Sequence, residues 1–195
     1  MTGGTRGIGF GIARRFAQEG GHVIIVSRRK KNVEKAHEEI SKHGKVTSFI
    51  GNFGKKEDRL KVREEIAKKF GRVDVLVANI AASLHVGKSL SVEERAFDKM
   101  FDVNVKSTFF VIKEYHELLK AAKTQASVLI VSSIGGYDPA NLIGIYGITK
   151  TTLLGMVKLL GYELKDDNIR VNGIAPGAIS TDFLGPLEDA FKEAG

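Results

Sequence analysis

Short apolar runs alternate along the chain with longer segments in which apolar residues recur every three or four positions. Five runs, at residues 22–27, Val46–Ile50, 73–78, 127–132 and 169–175, are rich in Val and Ile and too short for helices. They are predicted as buried strands. Between them the spacing turns helical. Ile8, Ile12, Ala13, Phe16 and Ala17 share one face of a first helix, and residues 31–43 and Lys56–Phe70 are amphipathic with charged outer faces. A long helix is predicted over residues 94–122, another over 145–164, and a helix-like piece over 182–194. Strand and helix alternate throughout, which predicts an α/β fold: a doubly wound, Rossmann-like parallel sheet with helices on both faces.

The ends change this picture. A strand is expected directly before the first Gly-rich turn, yet Met1 stands one residue ahead of Thr2 and Gly3. The expectation is therefore one domain over residues 1–195, truncated at both ends and lacking its first and last strands.

At 195 residues the chain is long enough to bury a substantial core, and 43% hydrophobic with 27% charged residues is an ordinary globular composition. The absence of Cys excludes disulfides and Cys-based zinc sites. No apolar run approaches the roughly 18 residues that span a bilayer, and no basic-then-apolar leader opens the chain. A cytoplasmic or organellar location, peroxisome and mitochondrion included, is expected, not a secreted one. The net charge of +7 favours anionic partners. No interleaving of aromatic and basic residues points to nucleic acid, and the five His residues show no metal-ligand spacing. The Lys-rich stretch at residues 55–72 alternates with acids and reads as a solvated helix face.

The chemistry begins in the turn Thr2-Gly3-Gly4-Thr5-Arg6-Gly7-Ile8-Gly9, which opens straight into a helix. Glycines let a backbone approach a pyrophosphate, and the helix N-terminus offers free N–H groups; an ordinary Gly-rich turn is the other reading. The first full strand ends at Ser27-Arg28-Arg29 with no acid. Arg28 stands about 20 residues beyond Gly9, the offset at which an NAD site places Asp or Glu for the ribose 2′-OH. An Arg there suits a 2′-phosphate, with Arg6 as a second cation, so the reading is NADP(H); a solvated basic turn is the alternative. Tyr146 and Lys150, four apart on a predicted helix, share one face. A nearby ammonium is expected to lower the Tyr pKa and make it a usable acid or base; a surface pair is the alternative. Ser133 lies just past a buried strand, where its hydroxyl can meet a substrate oxygen. Asn104 sits inside the long predicted helix, where Asn is mildly unfavourable, so it has either a specific task or a tolerated place.

Taken together these motifs resemble the classical short-chain dehydrogenase/reductase (SDR) family over nearly the whole chain. The family's Thr-Gly-x-x-x-Gly-x-Gly falls on Thr2, Gly3, Gly7 and Gly9, and its Asn-Ser-Tyr-Lys tetrad on Asn104, Ser133, Tyr146 and Lys150. Its Pro-Gly turn falls on Pro176 and Gly177, with Ile179 and Thr181 matching the positions that hold the carboxamide and the pyrophosphate. The stretch from Tyr146 to Gly177 looks most like the NADPH-dependent carbonyl reductase and retinol dehydrogenase/reductase group (member-4-like SDRs). The departures are Asn52, followed by Phe53, where the family often has the Asp that meets adenine, and Ala78-Asn79-Ile80-Ala81 in place of Asn-Asn-Ala-Gly. Asn79 is retained; Ile80 and Ala81 are bulkier where the cofactor approaches.

The resemblance implies hydride transfer between nicotinamide and an apolar ketone, aldehyde or secondary alcohol. Tyr146 would be the proton donor and Ser133 the orienting group. Lys150 would bind the ribose and lower the Tyr146 pKa, and Asn104 would hold a relay water. Substrate choice would lie in residues 83–90, 135–144 and 178–187, through Leu84, Val86, Tyr137, Leu142, Ile143, Phe183 and Leu184. Subunits would pair into a dimer or tetramer through residues 94–122 and 145–164. The competing reading is a catalytically impaired, truncated SDR that acts only as an interaction partner or has no activity.

Overall fold

The computed structural model describes residues 1–139, 141–179 and 181; the calls on Phe183, Leu184 and the helix-like piece 182–194 lie outside them. The described elements are α1 (Gly7–Gln18), β1 (Val23–Ser27), α2 (Lys30–Ser41), β2 (Val46–Ile50), α3 (Lys56–Phe70), β3 (Val75–Ala78), α4 (Glu94–Phe101), α5 (Ser107–Lys120), β4 (Ala126–Val131), α6 (Gly144–Glu163) and β5 (Ile169–Ile174). The predicted strands are present: residues 46–50 as expected, 22–27, 73–78 and 169–175 shortened by one or two residues, and 127–132 shifted back by one.

All strand pairs are parallel. β1 pairs with β2, and β3, β4 and β5 form a second ladder in that order. The expectation that nothing remains of the preceding strand is corrected by residues 1–3, which lie between the two ladders. Thr2 bridges in parallel to Val26. The Thr2 and Gly3 amides donate to the Val77 and Val26 carbonyls at 3.0 and 3.1 Å, and the Val26 amide returns a bond to Met1. From this segment the chain winds outward to β1 and β2 on one side, then crosses to β3, β4 and β5 on the other. The order reverses beside residues 1–3, and a doubly wound sheet opens its crevice there, at the carboxyl ends of the strands.

Apolar positions decide which faces are buried. Val111, Ile112, Tyr115, Leu118 and Leu119 of α5 and Leu153, Met156 and Leu160 of α6 pack on Val128 and Ile130 of the sheet. Ala13 and Ala17 of α1 and Ala36 and Ile40 of α2 cover Val23 and Ile25. The solvated face expected for α3 has one exception. Arg59 is buried and donates in a fork to Glu114 at 2.9 and 3.0 Å and to the Phe53 carbonyl at 3.1 Å, which leaves a buried cation paired.

The single helix predicted over residues 94–122 is instead α4 and α5 joined by a π-helical segment, Asp102–Lys106. The Ser107 amide donates to the Asp102 carbonyl across this wider turn, and the Ser107 and Thr108 hydroxyls add bonds to the Asp102 and Asn104 carbonyls at 2.8 Å. Such π-segments gather at functional sites, and this one carries Asn104.

Candidate active site

One wall of the crevice is the Gly-rich turn. Gly3 has φ +60°, and a Cβ there would lie 2.6 Å from the Asn79 carbonyl oxygen. Asn79 holds the turn in place: its amide donates to the Thr2 hydroxyl at 2.8 Å and its side chain to the Gly3 carbonyl at 3.3 Å. Gly9 is tighter still, since a Cβ would fall 2.3 Å from the Gly3 carbonyl oxygen and 2.5 Å from Asn79 Nδ2. Gly9→Ala should therefore cost about 1–3 kcal/mol as an overpacking change, a fall in Tm of roughly 3–10 °C for a chain of this size; an unchanged Tm would contradict the close approach. Helix α1 starts with no side-chain cap at Arg6 and no acid in its first turn. The dipole and amides of such an N-terminus favour an anion.

The opposite wall is built where β4 meets α6. Ser133 follows β4 and caps a 3-10 turn, accepting from the Gly135 amide at 3.1 Å. Its hydroxyl is also hydrogen-bonded to that of Tyr146. The Ser132 hydroxyl donates to the Lys150 carbonyl at 2.9 Å, locking this turn onto α6. Tyr146 and Lys150 are both buried, and Lys150 Nζ lies 5.5 Å from the Tyr146 ring centroid. The ammonium donates to the Val131 carbonyl at 2.9 Å.

The expected lowering of the Tyr146 pKa is corrected. Burial pushes it up to about 12, against a smaller downward pull from the Ser133 hydrogen bond. Burial also lowers Lys150 to about 8. Desolvation outweighs the pairing read from the i,i+4 spacing.

Asn104 is fully buried behind this wall. Its side-chain amide donates to the Ala82 carbonyl and the Thr149 hydroxyl, both at 2.9 Å, and its oxygen accepts from the Ala82 amide at 2.7 Å. Thr149 in turn donates to the Tyr146 carbonyl at 2.6 Å. Both donors of the side chain are used by Ala82 and Thr149. What Asn104 does in the structure is tie the loop after β3 to the Tyr146 turn of α6.

Between the walls lies a cleft of about 510 Å³, within the range of small-ligand sites. Gly3, Arg6, Gly7, Ile8, Asn79 and Ala81 line it together with Ser133, Tyr146, Lys150, Pro176, Gly177, Ile179 and Thr181, and Thr181 lies against Gly7. The Ile134 amide bonds the Pro176 carbonyl at 2.9 Å and holds the Pro-Gly turn against the Ser133 turn.

Other expected cofactor residues stand apart. Thr5 borders a small adjoining pocket, which Arg6 shares with the cleft and where Arg6 donates to Asn32 at 3.0 Å. Ser27 and exposed Arg28 end β1 outside the cleft. The Asn52 amide donates to Asp58 at 2.7 Å and its side-chain oxygen accepts from Gly54 at 3.1 Å. Phe53 is corrected: its ring is in the main core, and its carbonyl is taken by Arg59. Ile80 packs against that core, while Ala81 meets the cleft. Sequence reasoning missed Val131, Ser132 and Ile134 as lining residues; the strand end just before Ser133 was the available signal. Of the proposed substrate residues, Ile143 lines the cleft, whereas Leu84, Val86 and Tyr137 are exposed and outside its lining.

Among the described residues no helix is long and apolar enough to cross a membrane, and no cluster is able to hold a metal ion. The family pattern described as short chain dehydrogenase matches residues 1–191. Dehydrogenase/reductase SDR family member 4 of Bos taurus is 42% identical over 184 residues, 94% of this chain, which spans 66% of that relative's length. The Pseudomonas aeruginosa RhlG/NADP active-site complex superposes with a TM-score of 0.91 at 25% identity, covering 99% of this chain and 78% of that one. The 3-ketoacyl-(acyl-carrier-protein) reductase of Brucella melitensis, complexed with NADH, gives 0.88 at 31% identity, covering 94% and 76%. By its family pattern, its relatives and its fold, this chain belongs to the short-chain dehydrogenase/reductase family of oxidoreductases.

Proposed function

We propose that this chain is an NADP(H)-dependent reductase of apolar ketones and aldehydes, reversible toward secondary alcohols, of the carbonyl reductase and retinol type. One observation carries the reading: Ser133, Tyr146 and Lys150 meet on one wall of a cleft whose other wall is an uncapped helix N-terminus behind a Gly-rich turn. The residues present fit a dinucleotide, because the Gly-rich turn brings backbone to the cleft at positions that have no room for a Cβ and leads into a helix N-terminus. When bound, the nicotinamide supplies or accepts the hydride.

The chain's own residues do the rest. Gly3, Gly7, Ile8 and Thr181 would hold the pyrophosphate, and Pro176, Gly177, Ile179, Asn79 and Ala81 the nicotinamide end. Lys150, held by the Val131 carbonyl, would bind the ribose. In reduction, Ser133 hydrogen-bonds the substrate oxygen and Tyr146 Oη gives that oxygen its proton as the carbon receives hydride. In oxidation Tyr146 takes the proton back. Asn104 positions Tyr146 through Thr149. Ile134, Ile143 and Ile179 give the cleft an apolar rim suited to an uncharged carbonyl substrate. Exposed Ile148, Leu159 and Tyr162 on α6 suit pairing of subunits through α4, α5 and α6.

Arg28 and Arg6 favour the 2′-phosphate form. NADPH at a hundred times its dissociation constant should stabilise the fold by about 2.7 kcal/mol, with NADH raising the Tm far less. Arg28→Asp should weaken NADPH by roughly 10–100-fold, the worth of a charge-assisted bond, and narrow or invert the preference. Equal shifts from both cofactors in both proteins would remove the NADP(H) assignment. A folded chain that neither cofactor stabilises would select the competing reading, an impaired member that serves as an interaction partner.

A further inference from the structure

Three charged side chains line the cleft among the described residues: Arg6, Lys150 and Asp138. Arg6 donates to Asn32, and Lys150 to the Val131 carbonyl. Asp138 is the one acid of the three. It is exposed, and its carboxylate makes no hydrogen bond or ion pair among the described residues.

The turn that carries Asp138 is fixed on both sides of it. Ahead of it, the Tyr137 and Asp138 amides both donate to the Ile134 carbonyl, at 2.9 and 3.1 Å. Gly136 is pressed onto α6: a Cβ there would lie 2.9 Å from the Lys150 carbonyl carbon, and the Gly136 carbonyl accepts from the Thr151 hydroxyl at 2.7 Å. Beyond it, Pro139 lies against Gly147, where a Cβ would stand 2.9 Å from the Pro139 Cβ. Gly147 directly follows Tyr146. Asp138 is therefore held between two contacts with the helix that carries the proton donor, at a set place relative to it.

Turn formation does not account for this residue. An Asp in a turn ordinarily accepts from a backbone amide two residues on, and this one accepts from none among the described residues. Ile134 and Ile143, which line the cleft with it, are apolar. A carboxylate set among them matches a ligand group that donates a hydrogen bond and repels one that is negatively charged.

On the reading of this cleft as a carbonyl reductase site, we propose that Asp138 selects the substrate. The cleft takes an uncharged, largely apolar ketone or aldehyde that carries a hydroxyl at the end away from the carbonyl, and it rejects carbonyl compounds that carry a carboxylate there. With the carbonyl oxygen at Ser133 and Tyr146, the apolar body lies along Ile134 and Ile143 and the hydroxyl donates to Asp138. The bond is charge-assisted but sits at an exposed rim, so it is worth about ten-fold in kcat/KM rather than more.

The test uses the 195-residue chain, NADPH, and straight-chain methyl ketones of graded length that end in a hydroxyl, a methyl or a carboxylate. At the length that reaches Asp138, the hydroxyl ketone should exceed the methyl ketone in kcat/KM by about ten-fold. The carboxylate ketone should fall below both, by less at high salt. Asp138→Asn, which keeps the shape without the charge, should remove the penalty on the carboxylate, and Asp138→Lys should make the carboxylate ketone the best of the three. Each comparison is a ratio within one protein, so a general loss of activity does not enter it. Amide shifts at Gly135 and Ile143, followed by NMR in titrations without cofactor, give dissociation constants for the same ketones. Binding in the expected order without turnover would sink the reductase reading while supporting the selection by Asp138. Absence of binding by every ketone, equal constants at every length, or an order that survives Asp138→Lys overturns it.

Discussion

Tyr146→Phe should lower kcat for carbonyl reduction by about 10²–10⁴-fold while leaving KM and fold nearly unchanged. The factor is what a positioned general acid contributes. An unchanged KM follows because the lost proton transfer belongs to the transition state rather than to substrate binding. The ring would keep its packing beside Met100 and Ile145, and the loss of one bond to Ser133 costs only about 1 kcal/mol. The pH dependence checks the role by a separate route. Oxidation needs Tyr146 without its proton, so it should climb as pH rises, and reduction should fall. The residual rate of the Phe variant should lack both trends. Retention of more than about a tenth of the activity would take the proton from Tyr146 and give it to another group.

The second large effect concerns stability. In the 195-residue chain, burial lowers the pKa of the Met1 ammonium to about 5, against 8 for a free amine. Between those values the unfolded chain binds the proton and the folded chain does not. Stability should therefore rise with pH from about 5 to 8 and be lost as pH falls through that window. At about 1.4 kcal/mol per unit, the change is about 2–4 kcal/mol. Nα-acetylation replaces the ammonium with an amide that still donates to the Ile24 carbonyl and adds a carbonyl on the side of β3. Urea midpoints measured from pH 5 to 8 should then diverge: steep for the free amine, shallower for the acetylated chain. Parallel curves would show that the ammonium is solvated.

The Tyr prediction rests on positions that were legible in the sequence, whereas the stability prediction rests on one that was not. Tyr146 and Lys150 could be placed on one face because i,i+4 neighbours always share one. Gly3, Gly7 and Gly9 could be placed at a helix start because their spacing is local. Five strands and the amphipathic helices followed from periodicity for the same reason. Asn104 stood out as a misfit inside a predicted helix, but the π-segment that accommodates it did not, because that depends on hydroxyls at Ser107 and Thr108 and on a loop after β3. Phe53 was assigned to the cofactor and packs in the core, since which way a strand-end residue faces is set by what covers it.

By itself, the sequence determined the alternation of strand and helix, the Gly-rich turn, the order of the tetrad residues and the basic character at Arg6 and Arg28. All of these are properties of neighbours along the chain. Only the tertiary structure decided that the Lys150 ammonium turns to the Val131 carbonyl, that burial raises Tyr146 rather than Lys150 lowering it, and that residues 1–3 join two ladders across a groove. The physical reason is the same in each case. Desolvation and edge pairing depend on which distant segments exclude water from a group, and that is fixed only when the whole chain has packed.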